Sequence, residues 1–196
     1  MTHQFIHHNR IYVFIGPEGA GKSTQARMLS EALHLPLIST GDMLRRFAKD
    51  DTGALGEAAR KMFAANGYLK ADLMLRMMGE QLQDRVYKQG VILDGSLRTY
   101  EEAVRFDEIF EQSNLHLPII VLYINVPQEE SIKRLSFGRK RPDDIIQSVE
   151  TRLSHFHEQL EERLAIITKK YQLIAIDGMN EKEAVHAEIM EKINEK

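Results

Sequence analysis

Five short apolar runs, at residues 11–15, 35–39, 91–94, 119–126 and 172–177, are separated by longer stretches whose apolar positions recur at helical spacing. The first run, IYVFI, is unbroken and rich in β-branched and aromatic side chains, the pattern of a strand covered on both faces. The intervening stretches predict helices over 22–33, 42–49, 54–65, 72–89, 100–112, 128–136, 144–170 and 181–194. A strand followed by a helix, repeated, implies an α/β fold. Its sheet is parallel and five-stranded, flanked by helices and joined by right-handed crossovers, with a ligand crevice at the carboxyl ends of the strands. Two stretches interrupt the alternation, residues 42–69 and 137–143, and both carry too little apolar mass for a core of their own. They read as excursions over the crevice.

Size and charge narrow the picture. The 196 residues fit one domain, 43% apolar and 28% charged, and the formal net charge of -3 offers no bulk attraction to nucleic acid or an acidic membrane. Anion sites must therefore come from locally placed Arg and Lys. The chain has no cysteine, hence no disulfide and no thiolate metal site. The first ten residues lack the succession of a signal peptide, and no apolar run nears the roughly 20 residues of a membrane span. A cytoplasmic monomer is expected, without nucleic-acid or membrane partners. His3, His7 and His8 read as a solvated arm rather than a metal site.

The strongest chemical signal is Gly16-Pro17-Glu18-Gly19-Ala20-Gly21-Lys22-Ser23, a P-loop lying where its mechanism needs it, after a buried strand and before a helix. Glycines let successive N–H groups turn toward phosphate oxygens, and the helix adds its positive end. Gly16, Gly19, Ala20, Gly21, Lys22, Ser23 and Thr24 are thus the expected ATP contacts. Lys22 would reach the β- and γ-phosphates, and Ser23 with Asp94, at the end of another apolar strand, would hold Mg²⁺.

A P-loop does not say what accepts the phosphate. Three further segments do: Ser39-Thr40-Gly41-Asp42-Met43-Leu44-Arg45, Asp94-Gly95-Ser96-Leu97-Arg98-Thr99, and Arg141-Pro142-Asp143-Asp144 followed by Arg152-Leu153. Together with the P-loop they resemble the adenylate kinase family, from about residue 11 to the end of the chain. The resemblance implies a P-loop NTPase core (about 10–39, 70–133 and 145–196), a helical acceptor-binding insert (about 40–69) and a short lid (about 134–144). It also implies transfer of the γ-phosphoryl group of ATP to AMP with Mg²⁺. Arg45 and Arg98 would hold the acceptor phosphate, with Thr40, Leu69, Gly95 and Glu102 completing that site. Arg134, Arg141 and Arg152 would close over the donor. No nucleophilic side chain is needed, because the acceptor oxygen attacks directly and the protein supplies position and charge. His155 and His157, inside a helical pattern, read as packing or surface residues.

Several positions depart from the family pattern. Ser96-Leu97 stands where it usually reads Phe-Pro, Lys70-Ala71 where it reads Val-Pro, and Glu102 where a glutamine reads adenine. An amide both donates to N1 and accepts from the N6 amino group, whereas an ionised carboxylate only accepts, which suits guanine unless Glu102 is protonated or turned away. A Glu102 on the exposed face of its helix is the other reading. Only residues 136–140 separate Arg134-Leu135 from Arg141, too few for a zinc-bound lid and short for excluding water, so ATP hydrolysis without acceptor is expected. A different monophosphate, a small metabolite as acceptor, or a nucleotide-binding regulatory protein with weak ATPase activity remain the rival readings.

Overall fold

The computed structural model describes residues 9–65, 67–137 and 146–195. Its strands are β1 (Ile11–Ile15), β2 (Leu37–Ser39), β3 (Val91–Asp94), β4 (Ile119–Asn125) and β5 (Gln172–Asp177). The helices are α1 (Lys22–Leu33), α2 (Thr40–Asp50), α3 (Ala54–Ala64), α4 (Ala71–Gln81), α5 (Tyr100–Arg105), α6 (Glu108–Ser113), α7 (Gln128–Phe137), α8 (Ile146–Glu158), α9 (Leu160–Lys170) and α10 (Lys182–Asn194).

The five strands form one sheet in the order β2-β3-β1-β4-β5, every pair parallel. Because successive side chains of a strand point to opposite faces, β1 feeds two cores. Ile11, Val13 and Ile15 pack with Leu44, Met74, Met78, Phe106, Ile109 and Ile167 on one face. Tyr12 and Phe14 pack with Leu29, Leu33, Ile189 and Ile193 on the other. All five β1 residues are buried, and each such apolar side chain contributes about 1.5–3 kcal/mol relative to exposure. The sheet order places the chain reversal beside β1, whose neighbours β3 and β4 lead away to opposite edges. In the β1–β3 pairing Phe14 lies opposite Asp94, so the loops after these two strands emerge side by side. That is the crevice the α/β alternation implied.

Three expected helices are shorter or broken, each for a visible reason. The run 72–89 ends as α4 at Gln81, and Asp84 then caps a separate 3₁₀ turn, Arg85–Tyr87, by accepting from Val86 N at 3.0 Å. The run 100–112 divides between α5 and α6 where Asp107 accepts from Lys170 Nζ at 2.6 Å and Tyr171 Oη at 2.5 Å. The run 144–170 divides at Gln159, whose side-chain oxygen accepts from Tyr100 N at 3.1 Å. The strand expected at 35–39 begins only at Leu37. Among the described residues no helix is long and apolar enough to cross a membrane.

Candidate active site

The loop from Gly16 to Ser23 joins the end of β1 to the start of α1. Gly16 has φ 147°, and a Cβ there would lie 2.4 Å from the Ile124 carbonyl oxygen, so only glycine lets the loop leave the sheet so closely. Gly21, at φ 92°, precedes α1, whose first turn has neither a side-chain cap nor an acidic residue. No side chain competes for the N–H groups at this end, where Thr24 N and Gln25 N share the Gly21 carbonyl, both at 3.0 Å, and the helix dipole favours an anion. Lys22 Nζ donates to the carbonyls of Gly16 at 2.8 Å and Pro17 at 2.7 Å, folding over the same loop. Ser23 Oγ donates to Asp94 Oδ2 at 2.6 Å. A hydroxyl and one carboxylate, both hard oxygens, fit Mg²⁺, which takes few protein ligands and completes its shell with water and substrate phosphate. Among the described residues no group of three or more His, Asp or Glu forms a site for another kind of metal.

Arg98 sits across the cavity from this loop. Gly16, Glu18 and Lys22 line one side and Gly95, Ser96 and Arg98 the other, with Tyr68 and Phe156 on the wall. Arg98 Nε donates to the Gly95 carbonyl at 2.7 Å, its guanidinium lies 5.6 Å from the Tyr68 ring centroid, and Nη1 is 3.8 Å from Glu18 Oε1. Burial works to lower the Arg98 pKa, but Glu18, Tyr68, Asp94 and Glu102 together hold it above its ordinary value. The arginine is cationic at any working pH.

The loop that carries Arg98 is locked from several directions. Thr40, fully buried, donates through Oγ1 to the carbonyls of Gly95 at 2.8 Å and Asp94 at 3.2 Å, so its proton is committed to the loop and only its lone pairs can face a base. A Cβ on Gly95, which has φ 92°, would meet Thr40 Oγ1 at 2.5 Å and Arg98 Nη2 at 2.8 Å. Leu97, where the family pattern has proline, adopts φ 58°, a conformation closed to proline and costly for leucine. Its side chain is 1% exposed, and that burial holds the turn.

Glu102 is buried, which overturns the exposed-face reading. It is 1% exposed, in the first turn of α5, where Thr99 Oγ1 accepts from Glu102 N at 3.1 Å and Glu102 Oε2 accepts from Arg98 N at 2.9 Å. This is a capping box displaced by one residue, the carboxylate reaching past the cap to the loop. Oε1 has no partner among the described residues. Burial pushes the carboxyl up to about 7, against the opposing pull of its bond from Arg98 N and the charges of Arg98 and Arg163. Near neutrality Glu102 is therefore as much acid as carboxylate, an acid that offers one proton and one acceptor much as an amide would.

The other expected site residues are less gathered. Arg45 is on α2, turned onto Asp42 at 2.5 Å in a partly exposed pair that contributes little and yields readily to a stronger anion. Leu69 is buried in the core next to Tyr68 in sequence. Arg134 on α7 donates from Nε to Glu130 at 2.8 Å and does not line the cavity. Arg141, the side chain of Arg152, and most of the expected lid lie outside the described residues. Three residues that line or support the site carried no expectation from the sequence: Glu18, Tyr68 and Arg163. Glu18 alone had a visible signal, an acidic residue inside a loop built for polyanions.

The arrangement thus sets a phosphate-binding loop and helix start against a half-buried arginine on the neighbouring strand's loop, with a carboxyl group behind it. A family model described as adenylate kinase matches residues 14–172, spanning all of these elements. Among similar proteins, the adenylate kinase of Mycolicibacterium vanbaalenii is 34% identical over 181 residues, covering 92% of this chain and 97% of that protein. That of Thermus thermophilus is 33% identical over 180 residues, covering 90% and 93%, and that of Archaeoglobus fulgidus is 30% identical over 214 residues, covering 92% and 98%. The likeness therefore runs nearly end to end on both sides, through the loop at Gly16 and the turn at Arg98 alike, and this chain is a phosphotransferase of the adenylate kinase family.

Proposed function

We propose that the protein transfers the γ-phosphoryl group of Mg·ATP to AMP. The observation that carries this reading is the cavity that Lys22 and Arg98 share, one cation from the donor loop and one from the acceptor loop, facing a single space. Two polyanions must meet in line there, and the transferring group spreads charge over its equatorial oxygens, so cations on both sides are what the chemistry needs.

In this reading the N–H groups from Gly16 through Gly19, Ala20 and Gly21 to Thr24 cradle the donor phosphates, and Lys22 leaves its loop carbonyls for the β- and γ-phosphates. Ser23 and Asp94 would hold Mg²⁺, which would supply charge neutralisation at the donor phosphates. Arg98 and Arg45 grip the acceptor phosphate, each with a planar fork that matches it bidentately. Thr40 and Leu69 from the insert at 40–69, with Gly95 from the core, shape the acceptor pocket. Glu102, protonated, donates to adenine N1 as the family's glutamine does. Arg134 and Arg141 from the lid at 134–144, with Arg152 just beyond it, close over the donor. An acceptor phosphate oxygen attacks the γ-phosphorus directly, without a covalent enzyme intermediate.

Guanine is the second reading, favoured by Glu102 alone, since its ionised form accepts from the two donors on the guanine edge. The deciding experiment is phosphoryl transfer from Mg·ATP to AMP, GMP, CMP, UMP and dTMP in parallel, with a control lacking acceptor and one lacking metal. Diphosphate formed fastest from AMP supports the reading. Transfer to GMP alone replaces it with the second, and transfer to none of the five removes both.

A further inference from the structure

Arg163 is a long cationic side chain buried where charge is costly to place. It lies in the first turn of α9, 1% exposed, among the residues that carry the site yet outside the cavity itself. Its guanidinium stacks 4.4 Å from the Phe156 ring centroid. Nη1 donates to the carbonyl of Arg98 and Nη2 to that of Phe156 at 3.3 Å, while Nε has no partner among the described residues. A buried charge held by two neutral carbonyls and a ring, with one N–H unsatisfied, carries a large desolvation cost for the bonds it makes.

What the arginine provides is a connection. Its fork reaches Arg98, 65 positions earlier in the chain, from the elbow between α8 and α9. The same elbow makes a second bond, Gln159 Oε1 accepting from Tyr100 N at 3.1 Å. The turn that carries Arg98 and the start of α5 that carries Glu102 are thus pinned from behind at two points. A planar group with donors on two nitrogens can span both carbonyls while its carbon stays over the Phe156 ring.

Resting on the reading above, we propose that Arg163 is a positioning residue for the acceptor half of the site, holding the Arg98 main chain and the Glu102 carboxyl in register for the monophosphate and leaving the donor half alone. Four groups face it: Glu102 from α5, Tyr123 from β4, Tyr68 from the segment before α4, and Arg98 from the loop after β3. Glu102 responds to the Arg163 charge, which works to keep the carboxyl ionised. Removing that charge moves the Glu102 titration upward.

The test compares the parent with Arg163→Leu and Arg163→Lys. Leucine fills the space without the fork, and lysine keeps a charge near Glu102 without spanning two carbonyls. Both variants are expected to raise the acceptor KM by about tenfold or more, as small misplacements in a positioned site do, with ATP affinity within about twofold of the parent. Arg163→Leu should also shift the pH profile of the acceptor KM to higher pH, whereas Arg163→Lys should keep it near that of the parent. A folded Arg163→Leu with acceptor KM and pH profile like the parent's overturns the proposal. So does a loss of ATP affinity as large as the loss for the acceptor, the mark of a residue that merely holds the fold. Should the leucine variant fail to fold, the lysine variant is judged by the same two ratios. A parent that transfers to no monophosphate removes the underlying reading, a result seen before any variant is made.

Discussion

Glu102 makes the stability of this protein depend on pH in a window where few carboxylates act. Burial gives it a pKa of about 7 in the folded chain, against the ordinary 4.5 of an unfolded one. The native state therefore binds this proton more tightly. Its contribution is full below about pH 4.5, declines as the pH rises, and is gone once the pH passes through about 7. The difference between the two values corresponds to about 3 kcal/mol. Glu102→Gln is the natural perturbation, because an amide has the shape of the protonated acid, keeps an oxygen for Arg98 N and does not titrate. Urea unfolding of the two proteins, followed by circular dichroism at pH 5, 6, 7 and 8, should give near-equal midpoints at pH 5. By pH 8 the variant should stand about 1–2 M urea higher, given the denaturant sensitivity of small domains. Other titrating groups, the partly buried His186 among them, are common to both proteins and cancel in the difference. A difference that stays constant from pH 5 to 8 would refute the argument. The enzymatic counterpart is a parent whose KM for AMP climbs above pH 7 while that of Glu102→Gln stays level.

Other substitutions separate the two halves of the site and test its turn. Lys22→Ala should abolish transfer and weaken ATP binding, whereas Arg98→Ala should raise the acceptor KM and spare acceptor-independent ATP hydrolysis; near-normal turnover in the first, or equal losses in both activities of the second, would break the assignment. At Leu97, buried with φ 58°, truncation to alanine should cost about 2–5 kcal/mol, while glycine, which ordinarily trails alanine, should match or exceed it because it sheds the left-handed strain. Thermal unfolding of Leu97→Ala beside Leu97→Gly decides this, and glycine well below alanine would deny the strain.

The strands were legible because each is a compact apolar run, and those buried in the middle of the sheet carry little else. The P-loop was legible because its chemistry is local, eight consecutive residues between a strand and a helix. Helix breaks were not, since Asp107 and Gln159 are drawn off by Lys170 and Tyr100, partners about sixty positions away. The burial of Glu102 had a local sign in the spacing Thr99-Tyr100-Glu101-Glu102, which folds a carboxylate back over a helix start. Arg163 had none. In the run Leu160-Glu161-Glu162-Arg163-Leu164 it reads as one more charge on a solvated face, and only the elbow at Gln159 turns it inward.

The pairing of Glu18 with Arg98 bears on how quickly the site empties. After transfer, both products leave phosphates among the cations that made the reaction possible, and a site of cations alone would let them go slowly. The Glu18 carboxylate, 3.8 Å from Arg98, is a resident anion to which that guanidinium can return. Departure of a diphosphate then exchanges one ionic partner for another instead of stripping a half-buried charge bare. Some grip on the acceptor is given up, and a faster exit is gained.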